Sequence, residues 1–380
     1  MARTITWDEL RDLAGFQAQK GCAISLYLNL DPAAAPTAGD AHTRLNSLLD
    51  QAAKADGANR RELSHDQRQG LREDFERIRT YFTTEFSRDG AHGLAVFCAG
   101  LDNVWRPLAL TESVGDEVKV GRQLYLAPLV PLVGRGEGAL VVVVGRERGE
   151  VYRLRGGRLE EVVDHHDDQP RRHDQGGWSQ ARYQRHVDKL AEDHLRTVAD
   201  DLDRLVRSLR GPRVVVVAAE DTRAEFADLL SPEAKNAIVG WAQAKAHASP
   251  TELLAHAAPV LEAWRDQRER EAIERWREEA GRNGRATAGW EATLEAASDG
   301  RVDLLLFQER AERPAYQCPA CGRVAAEAGK CPIDGTTLEE ERAGLDLAVH
   351  QTLVHGGTVW AVRHHQDLEP VEGIGALLRY

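Results

Sequence analysis

Two uninterrupted apolar runs, Ala139-Leu140-Val141-Val142-Val143-Val144 and Val214-Val215-Val216-Val217, constrain this chain more than any other feature. A strand with one wet face alternates apolar and polar residues, so a run apolar at every position belongs to a strand covered on both sides. Between the runs, Val187, Leu190, Leu195, Val198, Leu202, Leu205 and Leu209 recur at helical spacing and form one stripe of a long helix. Gly211-Pro212 closes that helix before the second run begins. Strand, helix, strand in this order implies an α/β layer. Val151-Tyr152-Arg153-Leu154 returns as a hairpin partner after the polar turn Gly145 to Gly149, and Leu159 to Val163 follows Gly156-Gly157 as a further strand.

At 380 residues the chain is too long for one ordinary core and divides into two or three domains. We place a mixed α/β domain at 1–130, with helix Trp7 to Ala18, strands Ala23 to Leu30, Gly93 to Cys98 and Val104 to Leu110, and a polar helical stretch through Phe86. Pro128 and Pro131 punctuate the change to a central domain at 131–281, which ends in a highly charged helix from Thr251 to Glu279 stopped by Gly281. The last domain, 282–380, reads as helix Trp290 to Ala297, strand Val302 to Phe307, a cysteine cluster, helix Glu341 to Val354 and strand Thr358 to Val362. The formal charge, 49 − 61 = −12, argues against wholesale wrapping of nucleic acid and leaves RNA contact to local basic patches. The first residues lack the apolar stretch of a signal peptide, and no uncharged run approaches the roughly 18 residues needed to cross a bilayer. A cytoplasmic protein with no membrane partner is therefore expected.

Five cysteines in such a chain do not make a disulfide framework. Cys22 and Cys98 lie singly in apolar strand-like runs and read as buried free thiols. The other three cluster. Cys318-Pro319-Ala320-Cys321-Gly322 has the form of a zinc knuckle, with glycine letting the turn close around a metal. Cys331-Pro332-Ile333-Asp334-Gly335 repeats the spacing with Asp334 in place of the second cysteine. A carboxylate is a legitimate zinc ligand, so Cys318, Cys321, Cys331 and Asp334 can close a tetrahedron; His350 and His355 are alternative fourth ligands. A closed four-ligand site is structural, so Zn2+ is expected here without a chemical role.

The segment Asp164 to Arg185 has no apolar periodicity at its start and carries the sharpest functional signal. Between Arg171 and Arg185, the four arginines Arg171, Arg172, Arg182 and Arg185 stand against one aspartate, in an otherwise acidic protein. Gly176-Gly177 frees the backbone to enter a narrow space. Arginines flanking Trp178 suit phosphate contact and base stacking. An ordinary surface loop is the plainer alternative. A metal site at His165-His166-Asp167-Asp168 is disfavoured, because no partner cluster with ligand spacing occurs elsewhere.

These residues resemble the class-I peptide-chain release factors of archaea and eukaryotes, and within that superfamily its bacterial branch. The family places a Gly-Gly-Gln tip between a sheet and a long helix, followed by a small residue, Arg-aromatic and further arginines. Here stand Gly176-Gly177, Ser179-Gln180, Arg182-Tyr183-Gln184-Arg185 and then the long helix. The closing run Gly373-Ile374-Gly375-Ala376-Leu377-Leu378-Arg379-Tyr380 also resembles the family's Gly-Ile-Gly-x-Leu-Arg-Tyr end. The resemblance covers roughly residues 135–380. It implies a three-domain α/β architecture with a zinc ribbon, at about 316–338, inserted in the last domain. It also implies a ribosome-binding translation factor with ribosomal RNA and tRNA as partners, and leaves room for a translational GTPase.

Under this resemblance Gln180, with Gly176 and Gly177, would serve peptidyl-tRNA hydrolysis in peptide release or ribosome rescue, and Arg171, Arg172, Trp178, Arg182 and Arg185 would hold RNA. The sequence departs from the family at the tip. Trp178 and Ser179 separate Gly177 from Gln180, so alignment on Arg182-Tyr183 puts Trp178 at the catalytic position, whereas alignment on the glycines puts Gln180 there. Two other readings follow: a hibernation factor occupying the ribosomal site without chemistry, and an RNA-binding factor that never meets a ribosome. No Asn-Ile-Lys-Ser motif occurs in the first domain, which argues against stop-codon reading.

Overall fold

The computed structural model describes residues 5–55, 63–133, 138–145, 148–155, 157–166, 178–209, 212–245, 247–282, 284–309, 311–363 and 367–380; of residues 55, 166 and 178–188 only the backbone is described. The chain forms two compact units, one made of Met1–Arg135 with Glu269–Tyr380 and the other of Gly136–Arg268.

The first unit begins with helix α1 (Trp7–Ala14), started by a capping box in which Thr6 and Glu9 satisfy each other's backbone N–H groups. The helix stops at Ala14 rather than Ala18, because the chain turns into backbone pairing with residues 122 and 123: Ala18 N–H donates to Arg122 O at 2.8 Å. Strand β1 (Ala23–Asn29), helices α2 (Ala38–Ala55) and α3 (His65–Thr84), and strands β2 (Gly93–Ala99), β3 (Val104–Leu110) and β4 (Glu117–Gly121) follow. The strands make an antiparallel sheet of order β3-β2-β1-β4. Strand β1 is apolar at nearly every position because both of its faces are covered. Ile24, Leu26 and Leu28 pack with Leu45, Leu49, Phe75 and Ile78 of α2 and α3, whereas Ala23 and Tyr27 belong to a second core.

The second unit holds strands β5 (Leu140–Val144), β6 (Arg148–Arg155) and β7 (Arg158–His166), helix α4 (Trp178–Ser208), strand β8 (Val214–Ala218), helices α5 (Glu220–Leu229) and α6 (Pro232–Ala237), strand β9 (Ile238–Ala242) and the first part of helix α7 (Pro250–Gly281). Its sheet runs β7-β6-β5-β8-β9, with β5, β8 and β9 parallel and the β5-β6-β7 meander antiparallel. The two valine runs are the central strands. Leu140, Val142 and Val144 pack under Leu195, Val198 and Leu202 of α4, while Val141 and Val143 face Leu253, Ala257 and Leu261 of α7. Double coverage is thus the reason those runs lack a polar residue.

Helix α7 continues into the first unit, where Ala272, Ile273 and Trp276 join another core and the Trp276 indole donates to Thr287 O at 2.8 Å. Then come β10 (Ala286–Ala288), α8 (Trp290–Ser298), β11 (Val302–Gln308), β12 (Ala315–Gln317), β13 (Val324–Ala325), β14 (Glu339–Glu341), α9 (Gly344–Val354), β15 (Thr358–Val362) and β16 (Ile374–Leu378). A mixed sheet has the order β10-β16-β11-β15, and a small antiparallel one β13-β12-β14. Helix α9 starts at Gly344 rather than Glu341, since 339–341 are drawn into pairing with β12.

The first and last segments of this unit share one apolar core, in which Leu10, Tyr27, Phe97 and Leu129 meet Leu294, Phe307, Ala348 and Val349. A buried polar pair on α9 fastens the join. Asp346 accepts hydrogen bonds from Leu126 N–H at 2.6 Å and Ala127 N–H at 3.0 Å. His350, one turn on and 1% exposed, places Nδ1 3.2 Å from Ala14 O and Nε2 2.5 Å from Leu124 O. The Asp346 carboxyl also lies 3.6 Å from His350 Nε2. Burial pushes the Asp346 carboxyl above its ordinary range, against the pull of His350 and of the two backbone N–H groups. Among the described residues no helix is long and apolar enough to cross a membrane.

Candidate functional site

Of the residues expected to act on RNA or ester, Arg171, Arg172, Gly176 and Gly177 lie outside the described residues. The flanks of their segment are described. Strand β7 runs on to His166, three residues past the expected end, and α4 opens at Trp178. Gln180 therefore stands in the first helical turn, not in a loop. Trp178, Arg182 and Arg185 occupy positions i, i+4 and i+7 of the same helix. At 31 residues, α4 is about 46 Å long at roughly 1.5 Å per residue. A helix N-terminus leaves backbone N–H groups unpaired and carries positive partial charge, which suits anionic RNA.

Its described packing on the sheet begins well inside the helix. Leu195 is the first α4 residue in the core beneath it. There one rung of the sheet, Gly149 of β6 opposite His165 of β7, meets a single face of α4. His165 Nε2 hydrogen-bonds Asp201, which Arg204 also grips. A side chain at position 149 would put its Cβ 2.2 Å from Val198 Cγ2 and 3.1 Å from His194 Nε2, so only glycine lets the helix lie this close. Beside the rung, Arg148 chelates Glu150 through Nε at 2.5 Å and Nη2 at 2.7 Å, and Tyr152 Oη donates to the same carboxylate at 2.7 Å. That bond and burial hold the Tyr152 phenol up, at about 12, with burial the larger cause. His165 is thus engaged with a helix aspartate; His166 is described only in backbone, and Asp167 and Asp168 lie outside the described residues. Asp201 was missed by pattern because it borders the leucine stripe and reads as a solvent-facing position.

The cysteine cluster is fully described. Cys318, Cys321, Cys331 and Asp334 place one ligand atom each within 4.8 Å of all the others. Both halves fold alike. Gly322 N–H and Gly335 N–H each return to the carbonyl of the first cysteine of their knuckle at 2.9 Å. Cys318 N–H reaches Arg323 O at 2.8 Å, and Cys331 N–H reaches Thr336 O at 2.7 Å, five residues on in each case. Both glycines sit at positive φ, 77° and 74°, where a side chain would be strained. Hydrogen bonds from Thr336 hold the Asp334 carboxyl down at about 2, so it is an anionic donor under all ordinary conditions. Three thiols and a carboxylate converging in two matched turns fit a tetrahedral divalent metal. His350 is not a ligand, being occupied with Ala14 and Leu124. Nor is His355, which the convergent group does not include. Cys98 is buried, as expected, whereas Cys22 is only partly so.

Comparison with known proteins adds three findings. Residues 125–262 match the profile of the family described as bacterial archaeo-eukaryotic release factor family 10. The chain is 27% identical over 210 residues to peptide chain release factor subunit 1 of Archaeoglobus fulgidus, covering 53% of this chain and 51% of that protein. It is 23% identical over 291 residues to peptide chain release factor subunit 1 of Methanobrevibacter smithii, covering 68% of this chain and 69% of that one. The chain thus spans about half of the Archaeoglobus protein and a little over two thirds of the Methanobrevibacter one. Among solved structures, an archaeal Pelota described as ribosome-bound with ABCE1 aligns over 100% of this chain and 95% of that chain, at 14% identity and a TM-score of 0.44.

Proposed function

This chain belongs to the release-factor and Pelota-like superfamily, and from that premise we propose that it is a ribosome-binding factor that hydrolyses peptidyl-tRNA in ribosome rescue or peptide release. The observation that carries the reading is a placement. The profile match at 125–262 encloses the Gly176-Gly177 to Gln180 segment, and Gln180 stands in the first turn of the long helix α4, on the same helix as Trp178, Arg182 and Arg185.

Gln180 positions a water against the ester that joins peptide to tRNA. An amide does not titrate near neutrality, so Gln180 works by orientation and hydrogen bonding rather than as a general base. Ribosomal RNA supplies most of the electrostatic environment, and Arg171, Arg172, Arg182 and Arg185 hold the tip against phosphates of ribosomal RNA and tRNA. Cys318, Cys321, Cys331 and Asp334 would hold Zn2+ as a structural ion of the ribbon at about 316–338, three thiolates and a carboxylate being enough donors for a four-ligand site. One specific feature favours a second reading. Trp178 and Ser179 stand between Gly177 and Gln180, which suits a hibernation factor that fills the site without chemistry.

Ribosomes carrying labelled peptidyl-tRNA separate the two readings. Under the enzyme reading wild-type protein co-sediments and releases peptide, and Gln180→Ala keeps binding while losing release by about 10²–10³-fold, the usual cost of removing one preorganised hydrogen-bonding group at a reacting carbonyl. Binding without release, with Gln180→Ala indistinguishable from wild type, would establish the occupancy reading instead.

A further inference from the structure

We propose that the Gly149–His165 rung is the fulcrum of helix α4, and that His165 and Asp201 are positioning residues that set where the Gln180 end of the helix points. The inference rests on the reading of Gln180 given above for its catalytic consequence, but not for its geometry. His194, Val198 and Asp201 stand at i, i+4 and i+7, one face of the helix, and all three meet the same rung. Gly149 sets the closeness of that contact and His165 sets its direction. Asp201 is 6% exposed and is shared between His165 and Arg204, so the bond is held from both sides.

A fulcrum matters in proportion to the arm beyond it. From Asp201 to Gln180 the helix rises for 21 residues, about 32 Å at roughly 1.5 Å each. A tilt of about 5° at the rung therefore moves the Gln180 end by roughly 2.8 Å, where a displacement of about 1 Å can slow a positioned reaction about 10²-fold. The apolar contacts of Leu195, Val198, Leu202 and Val206 keep the helix on the sheet, but such contacts are non-directional and tolerate small tilts. The bond from the strand to Asp201 is directional, and it lies on β7, the edge strand that leads into the segment before Gln180.

Two independent changes loosen the rung. His165→Ala removes the bond, and Gly149→Ala inserts a methyl that Val198 must move to admit. His165→Gln keeps a donor for Asp201 and serves as the rescue. Spin labels attached through introduced ketone side chains at Arg158 and Lys189, both exposed, report the tilt as a distance distribution while sparing the native thiols. Both alanine variants should broaden or shift that distribution, and His165→Gln should restore it. In the release assay the alanine variants should lower kcat on the order of tenfold to hundredfold. Ribosome affinity should stay within about twofold, because RNA contact rests on charges that remain present. An unchanged distribution in both alanine variants overturns the proposal whatever the assay shows. A changed distribution in a protein whose wild type releases no peptide upholds the fulcrum and removes only the enzymatic reading.

Discussion

Two histidine–aspartate pairs hold this protein's two units in shape, and they are built for different loads. Asp346 and His350 lie within one helix, 7% and 1% exposed, and their hydrogen bonds cross to backbone atoms of residues 14 and 124–127. His165 and Asp201 join a sheet edge to a helix, with the histidine side chain 35% exposed. The first pair replaces water for two polar side chains and two backbone N–H groups in a sealed core, so each member depends on the others. The second keeps solvent on one side, and its loss leaves water free to take the vacated places. A buried pair can fasten segments distant in sequence; a half-open one can direct an element that the apolar core already holds.

The largest effect should come from breaking the buried pair. Asp346→Ala leaves Leu126 N–H and Ala127 N–H without their acceptor in a sealed core, and should cost about 2–5 kcal/mol in urea denaturation, at about 1–3 kcal/mol for each buried donor left unpaired. A loss under about 1 kcal/mol would mean that water reaches the site, and the contrast between the pairs would collapse.

Next in size is the ribbon, which offers a local standard against the pair. Wild-type protein should retain one zinc per chain through dialysis, and Cys331→Ser should lose it. Structural zinc in isolated finger peptides is worth about 10–16 kcal/mol of apparent binding free energy. Here α8 and α9 are held in the large core they share with the first segment, so proteolysis and hydrogen exchange should show damage confined to about 316–338. Unfolding of α9 along with the ribbon would show that the metal, and not the Asp346–His350 pair, holds that helix.

A smaller effect concerns pH. Burial raises the Asp346 carboxyl above its unfolded value, so the folded state holds this proton more tightly. Its contribution favours folding below the unfolded value and is lost as pH rises through the raised one. Urea midpoints of wild type and Asp346→Asn, compared from about pH 3 to pH 6, should diverge with a slope of at most about 1.4 kcal/mol per pH unit. Parallel curves would place Asp346 in contact with water.

How much of this was legible in the chain follows from the same contrast. The second unit is contiguous, and its valine runs and leucine stripe named its central strands and its long helix because both are local periodicities. The cysteine cluster was legible for a like reason: its four donor residues fall within 17 positions, 318 to 334. The shared core of the first unit was not, since Leu10 and Tyr27 meet Ala348 and Val349 across a separation that no periodicity spans. A faint signal did exist in α9, where Asp346 and His350 interrupt an otherwise apolar helix at i, i+4. Such an interruption marks a buried polar contact without naming its partner. The fulcrum was hidden for the opposite reason: glycine at 149 looked like part of a turn, and only the helix lying 2.2 Å from its absent Cβ shows what it permits.

The smallest effect, and the one that tests the comparison most closely, is the stability of His165→Ala. The bond it removes joins a partly exposed imidazole to a carboxylate that Arg204 continues to satisfy, so Asp201 is not left bare. Exposed or half-exposed pairs contribute about 0–1 kcal/mol once solvent screening and side-chain entropy are counted. Urea denaturation of this variant should therefore fall within about 1 kcal/mol of wild type, several-fold less than Asp346→Ala. The same variant should still disturb the helix direction and slow peptide release, since a directional contact can cost little to lose and yet fix an arm of about 32 Å. A loss near that of Asp346→Ala would mean that His165 supports the core itself. Slower release would then reflect partial unfolding, and the division between a pair that fastens and a pair that aims would not hold.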